Sequence, residues 1–429
     1  MQTFVRRLLD QFAVDRRVLA LAFARMADGI GNSFLIIVIP LYVASGTVGG
    51  RTFGLEESML IGIILSLFGF LNSSFQPATG RLSDRFGRRK PFILIGLAGL
   101  AVTNVAYVFA ETYLSLVVIR GLQGVSVAFI IPASIALVNE LATTQDRGGN
   151  MGVYNTFRLV GFGAGPIVAG AVVNLGPYAL PVGPTIGGFD AAFAIAAITA
   201  VTSYLLVTVL ITDPEATRAN AGADLSIPIR DRSGSNLLDP IFTLGVASLF
   251  MATAIALFAT IQPQVNARLE QGSTWFGLQF AAFILAQIIL QTPIGRACDR
   301  YGRRPFILGG MLLLAPATLV QGFITTSELM FVARLLQGVA GAMVFAPSLA
   351  LAGDLAGEGE SGSKLSVLTM AFGFGIAIGP LSSGALIGYG FAAPFVFGST
   401  LAVLGAALVS TQVEETLETT RPIPVVGDD

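Results

Sequence analysis

An aspartate inside an apolar run is the first residue of this sequence whose type and position could do chemistry. Asp28 lies within a hydrophobic segment that begins near residue 18. At about 1.5 Å of rise per helical residue, a chain entering a bilayer there carries Asp28 roughly 15 Å inward, close to the bilayer centre. A charge at that depth is costly and by default indicates a functional site. Since the sequence has no histidine, Asp28 is the best candidate for a group that binds and releases a proton.

Arginines in other apolar runs are the candidate partners of Asp28. We expect Arg120 to pair with it, and Arg25 and Arg158 are the alternatives. Burial favours a neutral carboxyl group, whereas a neighbouring guanidinium favours a charged one. Competition between these effects can bring proton binding into the working pH range. A static ion pair that only fixes helix packing is the alternative interpretation.

Two segments carry nearly the same cluster of charges, GRLSDRFGRRKPFIL at 80–94 and GRACDRYGRRPFIL at 295–308. Basic residues alone hold a loop in the cytoplasm, and this purely topogenic role is one interpretation. It does not explain an aspartate at matching places, and Asp84 and Arg88 are spaced to face each other if the helix continues. We therefore predict a cytoplasmic gate formed by Gly80, Asp84, Arg85, Arg88, Glu140, Gly295, Asp299, Arg300, Arg303 and Asp354.

The gate is expected to act between helices that are distant in sequence. A carboxylate near a helix N-terminus is stabilised by about 0.3–1 kcal/mol. We expect Asp84 to approach the start of the eleventh helix, near Ser361 to Lys364, and Asp299 to approach the start of the fifth, near Asp146 to Asn150. Weak contacts of this kind would hold the cytoplasmic side shut in one state and release it in another.

Composition places these residues in a membrane protein. The chain has 429 residues, of which 54% are hydrophobic and 12% are charged, and it contains twelve apolar runs of about membrane-spanning length. Lipid offers no hydrogen-bond partners, so spanning segments must be helices. Of the 25 lysines and arginines, only Arg51 and Arg268 fall in loops predicted outside the cell. This asymmetry predicts that both termini are cytoplasmic.

The sequence repeats itself. Asp84 and Arg88 recur 215 residues later as Asp299 and Arg303, and from PFIL onward the offset is 214. We predict an all-α polytopic membrane protein with twelve transmembrane helices in two pseudo-symmetric six-helix bundles, built from residues 1–211 and 238–429 and joined by a cytoplasmic linker at 212–237. Small residues allow helices to approach closely, and proline permits a bend. The repeat predicts a helix-interface motif at Gly161, Gly165, Pro166, Gly375, Gly379 and Pro380.

Missing residue types exclude several classes of chemistry. With no histidine and one cysteine, Cys298, zinc sites, haem ligation and histidine-based catalysis are excluded. Neither lysine, Lys90 or Lys364, lies in a nucleotide-binding GxxxxGK loop. A net charge of −1 gives no case for nucleic-acid binding. We expect no cofactor, no metal, no nucleic-acid partner and no enzymatic activity.

Scattered amides within phenylalanine-rich helices suit an apolar cavity with a few orienting polar groups. The chain has 31 phenylalanines, although lipid-facing helices also use that residue. Arginines within the spans leave an anionic substrate open. The candidate cavity residues are Asn32, Asn155, Arg158, Gln262, Gln287 and Gln291.

Three motifs carry a resemblance to a known family. GRLSDRFGRRKP at 80–91 resembles the loop signature of the major facilitator superfamily, and its partial copy at 295–305 is similar to the second half of that family. RGLQG at 120–124 resembles the family's fourth-helix motif. GFGAGPIVAG at 161–170 resembles the fifth-helix motif of drug:proton antiporters, tetracycline efflux proteins among them.

The resemblance implies a secondary active transporter that opens alternately to the two sides by a rocker-switch motion. It implies proton-coupled efflux of lipophilic small molecules or drugs from a monomer in the cell inner membrane. The partners would be a small-molecule substrate, protons and the lipid bilayer. An uptake symporter or facilitator of a small metabolite is one alternative. The Gly-Pro motif departs from the antiporter pattern by recurring in the second half, so the motif by itself does not indicate the direction of transport. A transport-silent membrane sensor or a membrane enzyme is the alternative of another class.

Overall fold

Twelve long helices make up the computed structural model of this chain, which describes residues 15–141, 147–179, 185–214, 229–231, 236–355 and 361–416. The predicted linker at 212–237 lies largely outside the described residues. Each helix is long and apolar enough to cross a membrane. They are α1 Arg16–Ala44, α2 Glu57–Phe86, α3 Lys90–Ala106, α4 Tyr113–Leu141, α5 Arg147–Leu175, α6 Gly188–Leu210, α7 Pro240–Thr260, α8 Ser273–Tyr301, α9 Arg304–Leu319, α10 Ser327–Asp354, α11 Ser361–Leu386 and α12 Ala393–Gln412.

Local sequence signals set several helix boundaries. The Asp239 carboxylate accepts hydrogen bonds from the first free backbone amides of α7, and Pro240 occupies a position where no amide donor is needed. The ends of α2 and α8 are glycines with positive φ, 63° at Gly87 and 99° at Gly302. Because glycine adopts this conformation without a steric penalty, both helices stop directly before the repeated basic residues.

Helix packing repeats between the two halves. In the first bundle, α1 packs against α5 and α6, α2 packs against α4, and α3 packs against α4 and α6. In the second, α7 packs against α11 and α12, α8 packs against α10, and α9 packs against α10 and α12. Corresponding helices therefore have corresponding neighbours. This confirms the predicted all-α architecture of two pseudo-symmetric six-helix bundles.

The two bundles contact each other along two helix pairs, α2 with α11 and α5 with α8. We call the helix ends that carry Asp84 and Asp299 the basic face, and the other ends the opposite face. A Cβ atom placed on Gly62 would lie 2.7 Å from the Pro380 carbonyl oxygen, and one on Gly170 would lie 2.5 Å from the Ser273 carbonyl oxygen. Only glycine lets the backbones approach this closely.

The bundles separate toward the basic face. Gly163 contacts Ile284 of α8, and Gly152 lies eleven residues earlier on the same side of α5. A Cβ on Gly152 would meet no atom within 4 Å, and the same holds for Gly295, eleven residues after Ile284 on α8. Among the described residues, the close contacts between α5 and α8 lie in the middle of the helices and toward the opposite face, so these helices part and leave a cleft on the basic face.

We expect Gly277→Ala to destabilise this arrangement. A Cβ there would overlap the Pro166 carbonyl oxygen, and overpacking of this kind costs about 1–3 kcal/mol, or roughly 5- to 150-fold in a population ratio. Electron–electron distances between spin labels at Arg51 and Ala267, both exposed on the opposite face, measure the separation of the bundles there. The labelled background carries Cys298→Ala.

Gly152→Ala is the matched control, since its side chain enters open space. The Gly277→Ala distances should shift to longer values while the control stays like the parent. An unchanged Gly277→Ala distribution, or an equal shift in the control, would contradict the assignment of this contact as the closure on the opposite face.

Candidate functional site

Asp28 is buried and ion-paired inside the first bundle. Its side chain is 3% exposed and accepts a hydrogen bond from Arg25 Nη1, three residues earlier on α1. The predicted pairing with Arg120 is therefore wrong, and the alternative partner, Arg25, is present. Residues three apart on one helix face the same side, so α1 supplies both members of the pair without help from another helix.

Arg120 is held by uncharged groups instead. Its Nη1 donates to Gln123 Oε1 at 3.0 Å, and its guanidinium carbon lies 4.6 Å from the centre of the Phe68 ring. Gln123 in turn donates to Asn104 Oδ1 at 2.6 Å and accepts from the Tyr107 hydroxyl at 2.9 Å. No carboxylate of the described residues forms a salt bridge with Arg120.

Asp28 lies between two small cavities, each of about 10 Å³. That is room for about one water molecule. The first cavity reaches from Asp28 to the amides that surround Arg120, with polar lining from Asn32, Asn104, Gln123 and Thr199. The second extends from the Asp28–Arg25 pair, with polar lining from Ser134 and Ser203. Most of the surface of both cavities is apolar, and the Asp28 carboxylate with these few polar side chains supplies the groups to which a water molecule could hydrogen-bond.

The second bundle repeats the arginine without the acid. Arg334 is fully buried, donates to Gln337, and lies 4.5 Å from the centre of the Phe258 ring. Gln337 donates to Thr318 Oγ1 at 3.0 Å. The Arg-Gln pair thus matches Arg120 and Gln123 in the first bundle. Among the described residues of α7–α12, no acidic side chain is buried as Asp28 is.

The cleft is lined on its α5 side by a polar and aromatic stripe. Asn155, Arg158 and Phe162 are spaced three and four residues apart, so they lie on one side of the helix. Arg158 Nε donates to Asn155 Oδ1 at 3.0 Å, and the Phe162 ring centre lies 6.0 Å from that of Phe280 on α8. All three α5 residues are partly exposed.

The facing stripe on α8 consists of Phe280, Ile284, Gln287 and Gln291, again at helical spacing. Four of the predicted cavity residues, on α5 and α8, therefore lie beside the cleft. The other two do not: Asn32 lines the small cavity next to Asp28, and Gln262 is fully buried in the short helix that follows α7, with both amide atoms unpartnered.

Arg89 connects the charged residues of the first basic loop. It contacts Asp84 Oδ1 at 2.6 Å and Glu140 Oε1 at 2.8 Å, and it donates to Ser83 Oγ at 2.9 Å. Although burial opposes its charged form, the hydrogen bonds to Glu140 and Asp84 raise the pKa of Arg89. The predicted role of Arg88 is corrected, because that side chain is exposed while Arg89 occupies the N-cap of α3.

Arg303 forms the equivalent network in the second bundle. It pairs with Asp354, contacts Asp299 Oδ1 at 3.5 Å, and donates to the Ala350 carbonyl oxygen at 2.8 Å. Arg303 is the N-cap of α9. It lies 214 residues after Arg89, and Asp354 at the end of α10 lies 214 residues after Glu140 at the end of α4. The first loop is one residue longer than the second, and the extra residue precedes Arg89. The sequence repeat had therefore paired Arg303 with Arg88, one position too early.

The remaining residues of the predicted gate are peripheral. Arg85 and Arg300 are exposed, and the Arg300 guanidinium lies 5.6 Å from the Tyr301 ring centre. Gly80 lies close to α4, where a Cβ would be 3.4 Å from Pro132, whereas Gly295 has no such neighbour.

Two carboxylates that sequence reasoning missed fix these loops. Asp213, three residues beyond α6, accepts from the backbone amides of Arg89 and Lys90 at 3.0 and 2.8 Å. Glu415, three residues beyond α12, accepts from the Arg304 amide at 2.8 Å. The sequence feature that could have identified them is an acidic residue at the same distance after the sixth helix of each half. Each carboxylate satisfies the free amides at the start of α3 or α9.

The glycines of the helix-interface motif pack within their own bundles. A Cβ on Gly165 would lie 2.6 Å from the Ile30 carbonyl oxygen of α1, and one on Gly379 would lie 2.8 Å from that of Thr253 on α7. Gly161 and Gly375 approach α1 and α7 in the same way. The motif prolines contribute to the contact between the bundles, since the Pro166 and Pro380 carbonyls face glycines of the opposite bundle.

Twelve apolar helices in two repeated bundles, with a polar cleft between them and a buried ion pair beside it, define a membrane transporter. The sequence profile of the Major Facilitator Superfamily matches residues 21–267 and 242–424. The chain belongs to that family.

Similar proteins include efflux proteins. Multidrug resistance protein 2 of Bacillus subtilis (strain 168) is 28% identical over 178 residues, which cover 41% of this chain and 44% of that protein, so the match spans less than half of its length. Tetracycline resistance protein, class B, of Escherichia coli is 24% identical over 331 residues, 76% of each chain. A bacterial homologue of the lysosomal transporter Spinster, solved in an inward-facing and occupied conformation, has a TM-score of 0.73, 13% identity, and coverage of 92% of this chain and 95% of its own.

We expect Arg89→Ala to destabilise the fold by on the order of 3 kcal/mol, because it leaves the Glu140 carboxylate, 9% exposed, without its cation. Arg88→Ala removes an exposed arginine from the same loop and should change the stability by less than about 0.5 kcal/mol. Thermal unfolding of both variants in one detergent measures the difference. Equal stability of the two would contradict the central position given to Arg89.

Proposed function

We propose that this transporter exports lipophilic small molecules in exchange for protons. The observation that carries the proposal is Asp28, a carboxylate buried in the spanning region, paired with Arg25 and placed between two water-sized cavities. A proton that binds Asp28 releases Arg25 from its counter-ion, so protonation alters the electrostatics of the first bundle. The relatives named for multidrug and tetracycline resistance support efflux as the direction.

Transport proceeds by alternating separation of the two bundles in a rocker-switch motion. In this structure they meet through α2 with α11 and α5 with α8, and the cleft opens on the basic face. Opening on the opposite face requires these glycine contacts to part. The motif prolines lie where they would seal the path on that face, since their carbonyls contact Gly62 and Gly277.

We assign the basic face to the cytoplasm and both termini to the same side. The support is the concentration of arginines on that face, because short loops rich in lysine and arginine remain cytoplasmic. With this orientation the cleft of the present structure opens inward. We further propose that the protein works as a monomer in the cell inner membrane.

The gate acts when the basic face closes. Asp84 is held by Arg89 at the end of α2, and α11 begins at Ser361 on the same face. Closure would bring this carboxylate toward the positive N-terminal end of α11, where it is stabilised. The side chains from Ser361 to Lys364 lie outside the described residues, as does Asp146 in the second contact. Asp299, which is 68% exposed, is free to make the equivalent approach to α5.

Asp28→Asn should abolish transport driven by a pH gradient while leaving substrate exchange intact, since asparagine keeps the size of the side chain but cannot release a proton. Flux of a fluorescent lipophilic dye in reconstituted vesicles, with and without an imposed gradient, separates the two activities. The sign of the gradient that drives accumulation gives the direction of coupling.

Asp190→Asn is the control for Asp28→Asn, because Asp190 is an exposed acid near the opposite face. It should retain gradient-driven flux. If Asp28→Asn kept full dependence on the pH gradient, Asp28 would have no part in coupling, and the static ion pair would be the correct interpretation.

Asp84→Asn should slow transport several-fold with little loss of stability. The mutation removes the negative charge that closure brings to α11, while Arg89 keeps its contact with Glu140. Initial rates of dye transport and thermal unfolding, measured on the same preparation, separate the two effects. Wild-type rates in Asp84→Asn would remove the gate from this mechanism.

A further inference from the structure

We propose that the cleft binds an amphipathic organic monoanion, with the Arg158 guanidinium pairing with the anionic group. The inference rests on the proposed function, because it takes the cleft between the bundles as the substrate path. It narrows the substrate from lipophilic compounds in general to those that carry one carboxylate or sulfonate on an apolar body.

Arg158 differs from Arg25, Arg120 and Arg334, the other arginines that lie in the apolar middle of the spanning helices. Arg25 is ion-paired to Asp28, while Arg120 and Arg334 are 2% and 0% exposed and are enclosed by amides and aromatic rings. Arg158 is partly exposed, and within the described part of the chain its hydrogen bond is the one from Nε to Asn155. That bond fixes the side chain and leaves the two terminal nitrogens to bind a ligand.

The charge around Arg158 is positive. On α1, Gly29 packs against the Arg158 backbone one turn after Arg25, and the Asp28 carboxylate is already engaged by Arg25. The described stripes of α5 and α8 carry amides and aromatic rings but no carboxylate. In a cleft with low-dielectric walls such an uncompensated cation attracts anions, and a guanidinium binds carboxylate or sulfonate oxygens through two parallel hydrogen bonds.

The groups around Arg158 also indicate the chemistry of the rest of the ligand. One turn deeper, Phe162 and Phe280 meet where the bundles close, which provides an apolar end to the cleft. Gln291 lies two turns after Ile284 on the same side of α8, at the level where the helices separate, and its amide can donate to the same anionic group. One accessible cation suits a single negative charge, and the aromatic end suits a flat apolar body.

Two fluorescent probes with the same ring system test the charge requirement. They are 1-anilinonaphthalene-8-sulfonate, an anion, and N-phenyl-1-naphthylamine, which lacks the sulfonate. Equilibrium dialysis against the full chain in lipid nanodiscs, corrected with empty nanodiscs, gives the affinity for each probe. The ratio of the two affinities is the readout, since a misfolded variant loses both.

We expect Arg158→Gln to weaken binding of the anion by about 10- to 100-fold, the range of a lost charge-assisted hydrogen-bond pair, and to change binding of the neutral probe by less than about twofold. Gln291→Glu, which leaves Arg158 intact but adds a negative charge on the side of α8 that Ile284 turns toward α5, should also weaken binding of the anion selectively. Arg158→Lys should retain part of the preference. Arg51→Gln, an exposed arginine outside the cleft, should behave as wild type.

Equal affinity of the wild-type protein for both probes would overturn the inference, as would an unchanged affinity ratio in both Arg158→Gln and Gln291→Glu. Because dialysis requires no proton gradient, its result tests the preference for an anion independently of proton-coupled export. Selective binding of the anion without gradient-driven flux would contradict proton-coupled export alone. Gradient-driven flux of the neutral probe with no preference for the anion would contradict this inference alone.

Discussion

A carboxylate among apolar helices must be neutralised, by a proton or by a cation, because lipid and protein interior cannot solvate its charge. In this protein Asp28 is neutralised by Arg25 on its own helix. The pair requires no contact between the bundles, so it can persist while they move. Its position between two small cavities in the first bundle separates the proposed proton site from the cleft, where Arg158 is the accessible cation.

The two bundles share a framework but not their chemistry. Each has an arginine and a glutamine on its fourth helix, stacked against aromatic rings and satisfied by neighbouring amides or hydroxyls. A buried guanidinium without a carboxylate is costly, and the aromatic contacts and amides offset part of that cost. Only the first bundle adds a buried acid within the described helices. Duplication supplied the fold, and divergence within one half supplied the candidate proton site.

Most charged contacts on the basic face lie within a bundle. Arg89 joins the ends of α2 and α4, Asp213 joins the end of α6 to the start of α3, and Arg303 and Glu415 do the same in the second half. These contacts tie the helices of each bundle together, whereas the contacts between bundles in the described part of the chain are close glycine approaches and aromatic pairs, with no ion pair among them. Such an interface can separate without leaving an unpaired charge.

The sequence by itself determined the helices, their number and the repeat, because each depends on local hydrophobicity and on side chains matched at a fixed offset. It also placed Asp28 in the interior. Tertiary structure decided which groups meet. Arg120 was a reasonable partner for Asp28 by depth alone, but the direction of each side chain around its helix gave Arg25 instead. Likewise the buried arginine of the first basic loop is Arg89 and not Arg88. A one-residue insertion in the loop changes which side chain turns inward, and the sequence pattern cannot show which of two adjacent arginines does so.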